Sequence, residues 1–420
     1  MSVALERTIF VLAALLYAYW LYQMTIAVRG LREPDPLPPA RKPHRFAVLV
    51  PARDEERVIG HLLDSLASQD YPKNAFEIYV ACDGCTDATP RISRDKGARV
   101  LERDDSGPPG KTVNLRWAIG RISLDEYDAV VVFDADNVVH PQFLARMSAQ
   151  LAARPQEEAF QGYLDAKNPD DSWVTRVYAL SFWYANRFWQ LARENAGLSV
   201  NLGGTAEVLR VSLLRRLGWR WSSLTDDLEL TCEIVLAGGR VRYAPDAIAY
   251  DEKPLDLGAS RAQRARWVQG HYWAFRRYAA RLLMMTLQRR DPAALDLLLH
   301  LAIPGRAAMS YATMFGGFLV VATRTVLRPT WLRDDPQAWS WLVFPAAAAV
   351  QCVLVLIVAP SLHRRQFTLR YLRDAGSYLW YGVRWVPTLA LTMLRRTDQR
   401  DWARTEHARA IAISEVIDRQ

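Results

Sequence analysis

Ala129-Val130-Val131-Val132-Phe133-Asp134-Ala135-Asp136 sets five apolar residues in a row before two carboxylates separated by one residue. A short, wholly apolar run reads as a strand buried on both faces, and such strands belong to parallel sheets covered by helices. The two acids fall where that strand ends, the edge at which open α/β sheets bind ligands. Two oxygen donors at this spacing can share a hard cation, Mg²⁺ or Mn²⁺. Such an ion can hold a nucleotide diphosphate and offset its charge as it leaves. A bare D-x-D also occurs in solvated turns; the apolar strand in front favours the metal reading.

Outward from this point, strand-like and helix-like segments alternate. Residues 46–50 form an apolar run ending at Pro51, and 55–68 carry helical spacing through Val58, Leu62, Leu63 and Leu66. Residues 77–81 and 99–101 read as strands, and 86–96, 111–121 and 141–152 as helices. This β-α-β-α order predicts an α/β fold with a mostly parallel sheet. Asp83 then ends the second strand as Asp134 and Asp136 end the fourth.

The flanks differ in kind. Half of the 420 residues are apolar, which excludes disorder as the main state, and the 15 tryptophans with long uncharged runs are a membrane signature. Residues 8–28 contain no charge, enough to cross a hydrocarbon core of about 30 Å. The run exceeds the apolar region of a cleaved signal peptide, and no clear small-x-small site follows it. Further uncharged runs cover 307–323 and 337–362, and 375–394 is a span or an interfacial hairpin holding Arg384 and Pro387. Arg29, Arg32, Arg41, Lys42 and Arg45 follow the first run, which puts the middle of the chain on the cytoplasmic side. The expected layout is an N-terminal transmembrane helix (1–30), a cytoplasmic domain (40–290) ending in an amphipathic interface helix, transmembrane or interfacial helices (291–394) and a cytoplasmic tail (395–420). The predicted location is therefore the cell membrane, as a multi-pass protein. The net charge of +8 is largely accounted for by juxtamembrane arginines, so nucleic acid is not an expected partner. A transporter is disfavoured by the large soluble domain.

Four more segments bear on chemistry. Cys82-x-x-Cys85 lacks a second Cys/His pair for zinc, and a cytoplasmic setting keeps thiols reduced. It reads better as Asp83 at a strand end, a Gly84 turn, and Thr86 or Asp87 capping the next helix. In Leu224-Thr225-Asp226-Asp227, Thr225 can cap a helix, or the adjacent acids can supply a general base. Gln263, Arg266 and Trp267 stand at i, i+3 and i+4 and share one helix face. That face suits a sugar-phosphate, or a helix lying on a membrane. The aromatic stretch 173–189 reads as buried packing ahead of an acceptor groove or a membrane contact, and His271 as a structural hydrogen bonder ahead of a residue facing the site.

Taken in order, these residues resemble the family 2 inverting glycosyltransferases, in the membrane-embedded branch of cellulose, hyaluronan, chitin-oligomer and poly-N-acetylglucosamine synthases. Pro51-Ala52-Arg53-Asp54-Glu55 looks like the opening P-x-x-N-E, Asp83-Gly84 like the first nucleotide-binding Asp, and Gly110-Lys111 like the G-K. Asp134-Ala135-Asp136 looks like the D-x-D, Leu224 to Asp227 like the T-E-D, and Gln263 to Trp267 like the Q-x-x-R-W. Gly204-Thr205 sits at the acceptor-binding Gly-Thr, and Trp402 to His407 is similar to the W-x-K-T-E-H tail. The resemblance implies a GT-A type nucleotide-sugar-binding domain flanked by transmembrane helices. It implies Glu55 and Asp83 on uridine, and Lys111, Asp134 and Arg266 on the nucleotide-sugar and its diphosphate. Asp134 and Asp136 would hold Mg²⁺ or Mn²⁺, Asp227 would be the base, and Gly204, Thr205, Gln263 and Trp267 would meet the acceptor. Asp54 for Asn and Asp226 for Glu depart from the pattern. The expected partners are a UDP-sugar donor, a glycan or lipid acceptor and the bilayer. The expected product is a β-linked polysaccharide, with single-sugar transfer to a lipid as the alternative.

Overall fold

The computed structural model describes residues 3–104, 110–220, 223–303, 317–327, 330–334, 350, 357–364, 369, 373–374, 376–378, 380–382, 384–385, 391 and 409–418. The third and fourth uncharged runs and the Trp402–His407 motif lie largely or wholly outside these residues. The second is described over residues 317–323, within the helical segment Gly317–Leu327.

After helix α1 (Val3–Ala27) come β1 (Phe46–Ala52), α2 (Ile59–Ala67), β2 (Phe76–Asp83), α3 (Thr89–Asp95), β3 (Arg99–Arg103), α4 (Lys111–Ile119) and β4 (Ala129–Val132). The chain continues with β5 (Val138–Val139), α5 (Phe143–Ala153), β6 (Ala159–Ala166) and α6 (Trp173–Tyr184). A wider helical turn follows over Ala185–Leu191, then α7 (Ala192–Asn195), β7 (Glu207–Arg210), α8 (Val211–Leu217), α9 (Asp226–Leu236), β8 (Val241–Asp251), α10 (Leu257–Arg289) and α11 (Pro292–Leu301). The predicted helices start and end within a few residues of these bounds. Strand β1 runs on through Pro51, where the predicted strand stopped. It pairs with β4 only as far as Leu49, so on that side no ladder needs the amide that proline lacks.

The eight strands form one sheet in the order β3-β2-β1-β4-β7-β6-β8-β5. Strands β3, β2, β1 and β4 are mutually parallel, β7 runs antiparallel to β4 and β6, and β6 pairs parallel with β8. The sheet is mostly parallel, as expected, with β7 and the two-residue β5, antiparallel to β8, reversed. Alternation along β1 sends Phe46, Val48 and Val50 into one core with Ile59, Leu62 and Phe143. Ala47 and Leu49 enter the other with Leu115, Leu209 and Ile234. The consequence for the site is directional. The carboxyl ends of β1, β2, β4, β6 and β8 and the amino end of β7 all meet at one edge.

Helix α1, with the turn after it, is the one described segment long and apolar enough to cross a membrane, over Arg7–Leu31. Its end is fastened to the body by a buried ion pair. Arg193 donates to Asp296 Oδ2 and Oδ1 (2.7 and 3.0 Å) and to Gln23 Oε1 (2.9 Å), and Tyr22 donates to Asp296 (3.0 Å). Asp296→Ala leaves Arg193 buried without its carboxylate and is expected to destabilise the fold by about 3–5 kcal/mol. The double change Arg193→Met with Asp296→Leu should cost much less. Urea midpoints of the detergent-solubilised chain check both.

Candidate active site

The edge where the strands end holds a cavity of about 340 Å³. Its lining includes Glu55, Asp83, Lys111, Asp134, Asp136, Gly204, Thr205, Asp227, Gln263, Arg266 and Trp267, so every candidate residue borders the same cleft. Asp83 is buried at the end of β2, where register sets it opposite Arg103. Its carboxylate accepts from the Arg103 guanidinium (2.6 Å) and from Gly110 N (3.0 Å), which fixes the start of α4. Lys111, the first residue of that helix, places Nζ 2.5 Å from Asp134 Oδ1 and 2.5 Å from Gly204 O. Burial opposes the Lys111 charge, but Asp134 and then Asp226 outweigh it and hold the ammonium protonated well above its ordinary range.

Gly204 has φ +82, and a side-chain carbon there would lie 3.6 Å from both Asp227 Oδ2 and Lys111 Nζ. Those are ordinary contacts, so it is the positive φ that favours glycine. Thr205 borders the cleft, but its hydroxyl is engaged: it accepts from Asp134 N (3.0 Å) and donates to Asn137 Oδ1 (2.5 Å). Asp227 stands in the first turn of α9. Burial first, then the adjacent Asp226, push its carboxyl up to about 7, against the opposing pull of Leu228 N, Lys111 and Arg266. Thr225 is the residue before α9, but its side chain makes no capping bond, contrary to the capping reading. Thr86 and Asp87 do not occupy the cap of α3 either; that position is Ala88, although Asp87 Oδ1 accepts from Thr89 N (2.9 Å).

Gln263, Arg266 and Trp267 do share a face of α10, and that face borders the cleft. One turn on, Gly270 meets the acidic loop. A side-chain carbon at Gly270 would lie 2.2 Å from Thr225 Oγ1 and 2.3 Å from its Cγ2. Gly270→Ala is expected to push Asp227 away from Arg266 and lose up to about 10²-fold in turnover. Adding Thr225→Gly should restore most of it; steady-state rates of the single and double variants check this.

Several residues that line the cleft or hold its loops carried no signal read from the sequence. Glu207 accepts from Gly204 N (2.7 Å), and burial with Asp227 close by raises its carboxyl well above the usual range. Gln161 accepts from Gly203 N (2.8 Å) and donates to Thr205 O (3.0 Å), pinning the loop between them. Asp251 and Glu252 end β8, and Glu252 N donates to Asp136 Oδ2 (3.0 Å). Acids at a strand end would have been the clue, but β8 was not legible as a strand.

The donor set suits a hard divalent ion. Asp134 and Asp136 offer oxygens only, and the ammonium of Lys111 already lies beside Asp134. Burial raises the Asp251 carboxyl to about 6; Lys253 opposes, and Asp136 and Asp134 add to the rise. A cation held by Asp134 and Asp136 would offset the part of that rise which they cause. A second cluster, Asp54, Cys85 and Asp87, has ligand atoms within 4.8 Å of one another. There Asp54 Oδ1 accepts from Thr86 N (2.7 Å) and Asp87 Oδ2 from Glu56 N (3.1 Å), so these acids hold the turn around Gly84. Asp54 itself has φ +53, a conformation Asn and Asp adopt more readily than other side chains. Cys82 and Cys85 are free thiols. His271 Nδ1 lies 3.0 Å from Trp267 O, and its ring packs on His300. Much of the aromatic stretch is buried: Tyr178 meets Trp267 and Tyr381 edge-on, and Trp183 stacks on His363.

The model of the family described as Glycosyltransferase like family 2 matches residues 43–270. The chain belongs to that family. It is similar to a probable glycosyltransferase, YdaM, of Bacillus subtilis (25% identity over 252 residues, 58% of this chain and 59% of that protein). It is similar to an N-acetylglucosaminyltransferase of Rhizobium leguminosarum bv. viciae (26% over 235 residues, 54% and 55%). A β-monoglucosyldiacylglycerol synthase of Synechocystis matches at 28% over 239 residues, 56% and 49%. The chain thus spans about half the length of these relatives. Among solved structures, the mannosyltransferase PcManGT of Pyrobaculum calidifontis, in complex with GDP-Man and Mn²⁺, superposes with a TM-score of 0.55 at 21% identity. That match covers 91% of this chain and 99% of that one, and shows a shared GT-A-like fold.

Proposed function

We propose that this family 2 glycosyltransferase moves a sugar from a UDP-sugar to an acceptor hydroxyl with inversion, at the cytoplasmic face of the cell membrane. The observation that carries the reading is the convergence of Asp83, Asp134, Asp136, Asp227 and Arg266 on one cleft. Glu55 and Asp83 meet the uridine end of the donor. Lys111 and Arg266 pair with the diphosphate, Arg266 with a fork matched to phosphate oxygens. When bound, a Mg²⁺ or Mn²⁺ ion would be held by Asp134 and Asp136 and would offset charge on the diphosphate.

Gln263, Trp267 and the Gly204 loop, with Thr205 behind it, orient the acceptor sugar. Asp227 takes the proton from the acceptor hydroxyl. Its oxygen forms a bond to the anomeric carbon from the face opposite the diphosphate. The bond from that carbon to the diphosphate oxygen breaks, and its electron pair leaves with UDP. A single displacement turns an α-linked donor into a β-linked product.

Domain 40–290 carries this chemistry, α1 anchors it, and the segments within 291–394 complete a multi-pass membrane body with the 395–420 tail on the cytoplasmic side. A membrane body beside the acceptor end favours a growing β-linked polysaccharide as product. The match to a β-monoglucosyldiacylglycerol synthase favours the second reading, transfer of one sugar to a lipid. Purified full-length chain in lipid, with Mn²⁺ or Mg²⁺ and a panel of UDP-sugars, tests both through UDP release and product mass. One sugar on a lipid selects the second reading, a ladder of masses the first, and no UDP release from any donor rejects both.

A further inference from the structure

Arg264 sits between Gln263 and Arg266 in sequence but points away from the pairing that an arginine normally finds. It is only 4% exposed. Its Nε donates weakly to Ser260 O (3.4 Å), while both terminal nitrogens are buried with no hydrogen-bond partner among the described residues. The guanidinium carbon lies 4.0 Å from the centre of the Tyr381 ring and 5.9 Å from that of Trp385. Trp385 Nε1 is itself buried and unpartnered among the described residues. Asp374, on the same C-terminal segment, faces Arg176 instead (3.4 Å).

A guanidinium cannot shed its charge as a buried lysine can. Aromatic faces attract a cation but do not accept from its N–H edges. The other deeply buried arginines are provided for: Arg193 has Asp296, and Arg103 has Asp83. The two terminal nitrogens of Arg264 and the Trp385 Nε1 are donors from two elements, and no described acceptor receives them. The complement to clustered, buried, donor-only groups is an anion with several oxygens.

We propose that Arg264 and Trp385 hold the phosphate of a membrane phospholipid at the acceptor end of the cleft. The location selects a lipid over a free ion. The site lies where α10 meets the C-terminal segment, with Tyr and Trp, the side chains that settle at headgroup level. It is joined to the cleft by packing, since Trp267 borders the cleft and meets Tyr178, which meets Tyr381. The proposal rests on the membrane placement given under Proposed function, not on the sugar-transfer chemistry.

The test uses the full chain in maltoside detergent and phosphate-free buffer, with retained lipid counted by native mass spectrometry. Wild type is expected to keep one phosphatidylglycerol per chain and not to keep diacylglycerol of the same tails. Arg264→Gln should weaken retention about tenfold or more. Trp385→Phe keeps the ring, loses the N–H, and should weaken it by about threefold. Equal retention by wild type and both variants overturns the site. Inorganic phosphate displacing the lipid at comparable concentration overturns the lipid source. UDP binding is measured in the same samples. Its absence in wild type would reject the donor reading and leave the lipid result standing.

Discussion

Asp227→Asn is expected to lower turnover by about 10²–10⁴-fold, the typical worth of a positioned general base, with UDP affinity nearly unchanged. The amide keeps the shape of the carboxylate and cannot take a proton. Because the Asp227 carboxyl sits at about 7, wild-type kcat/KM should rise with pH through that value and level off above it. The variant should lose this limb. Stability carries the opposite sign. A carboxyl raised in the fold favours its neutral form, so its contribution is full below its unfolded pKa of about 3.9 and is lost as pH rises through about 7. At pH 8, donor-free Asp227→Asn should therefore be more stable than wild type by about 1–3 kcal/mol. Near-normal turnover in the variant would remove Asp227 from the base role.

Asp136→Ala should abolish the metal dependence of UDP binding, with Mn²⁺ affinity falling by more than about 100-fold. Asp136 is buried and lines the cleft, and its carboxylate is held in place on both oxygens, Oδ2 accepting from Glu252 N (3.0 Å) and Oδ1 from Asn137 Nδ2 (3.2 Å). Asp136→Asn preserves an oxygen for one of those hydrogen bonds and deletes the charge. It should fail almost as badly if charge is what binds the ion. Calorimetric titration of UDP with and without Mn²⁺ separates the outcomes. An unchanged response to Mn²⁺ in either variant would count against the assignment.

The part of the fold that was legible is the part whose signals are local. Strands β1, β2 and β4 are short apolar runs whose sequence neighbours include Pro, Gly and Asp, and helices follow them at regular intervals. The other half of the sheet was not read. Strand β7 has four residues, β5 has two, and β8 mixes Arg, Pro and Asp with its apolar positions. Their burial comes from partners far along the chain, such as Val132 opposite Glu207 and Asp165 opposite Tyr250. Glu207, Asp251 and Glu252 were missed for that reason. Their chemistry depends on which edge they reach, and no window of sequence contains that edge.

By itself the order of residues determined the α/β alternation, the acids at the ends of β2 and β4, and the shared helix face of Gln263, Arg266 and Trp267. Helical and strand periodicities are local rules, and a carboxylate after an apolar strand stays at that strand's end wherever the strand goes. Only the tertiary structure decided that Asp83, Asp134, Asp136, Asp227 and Arg266 border a single cleft, because this requires β7 to run backwards and α9 and α10 to meet at Gly270. It also decided which polar groups are already taken. Thr205 gives its hydroxyl to Asn137 and Asp54 holds a turn, whereas Arg264 is enclosed among rings with no described acceptor for its two terminal nitrogens. Hydrogen bonds between residues tens or hundreds of positions apart are set by packing, and packing is a property of the folded chain as a whole.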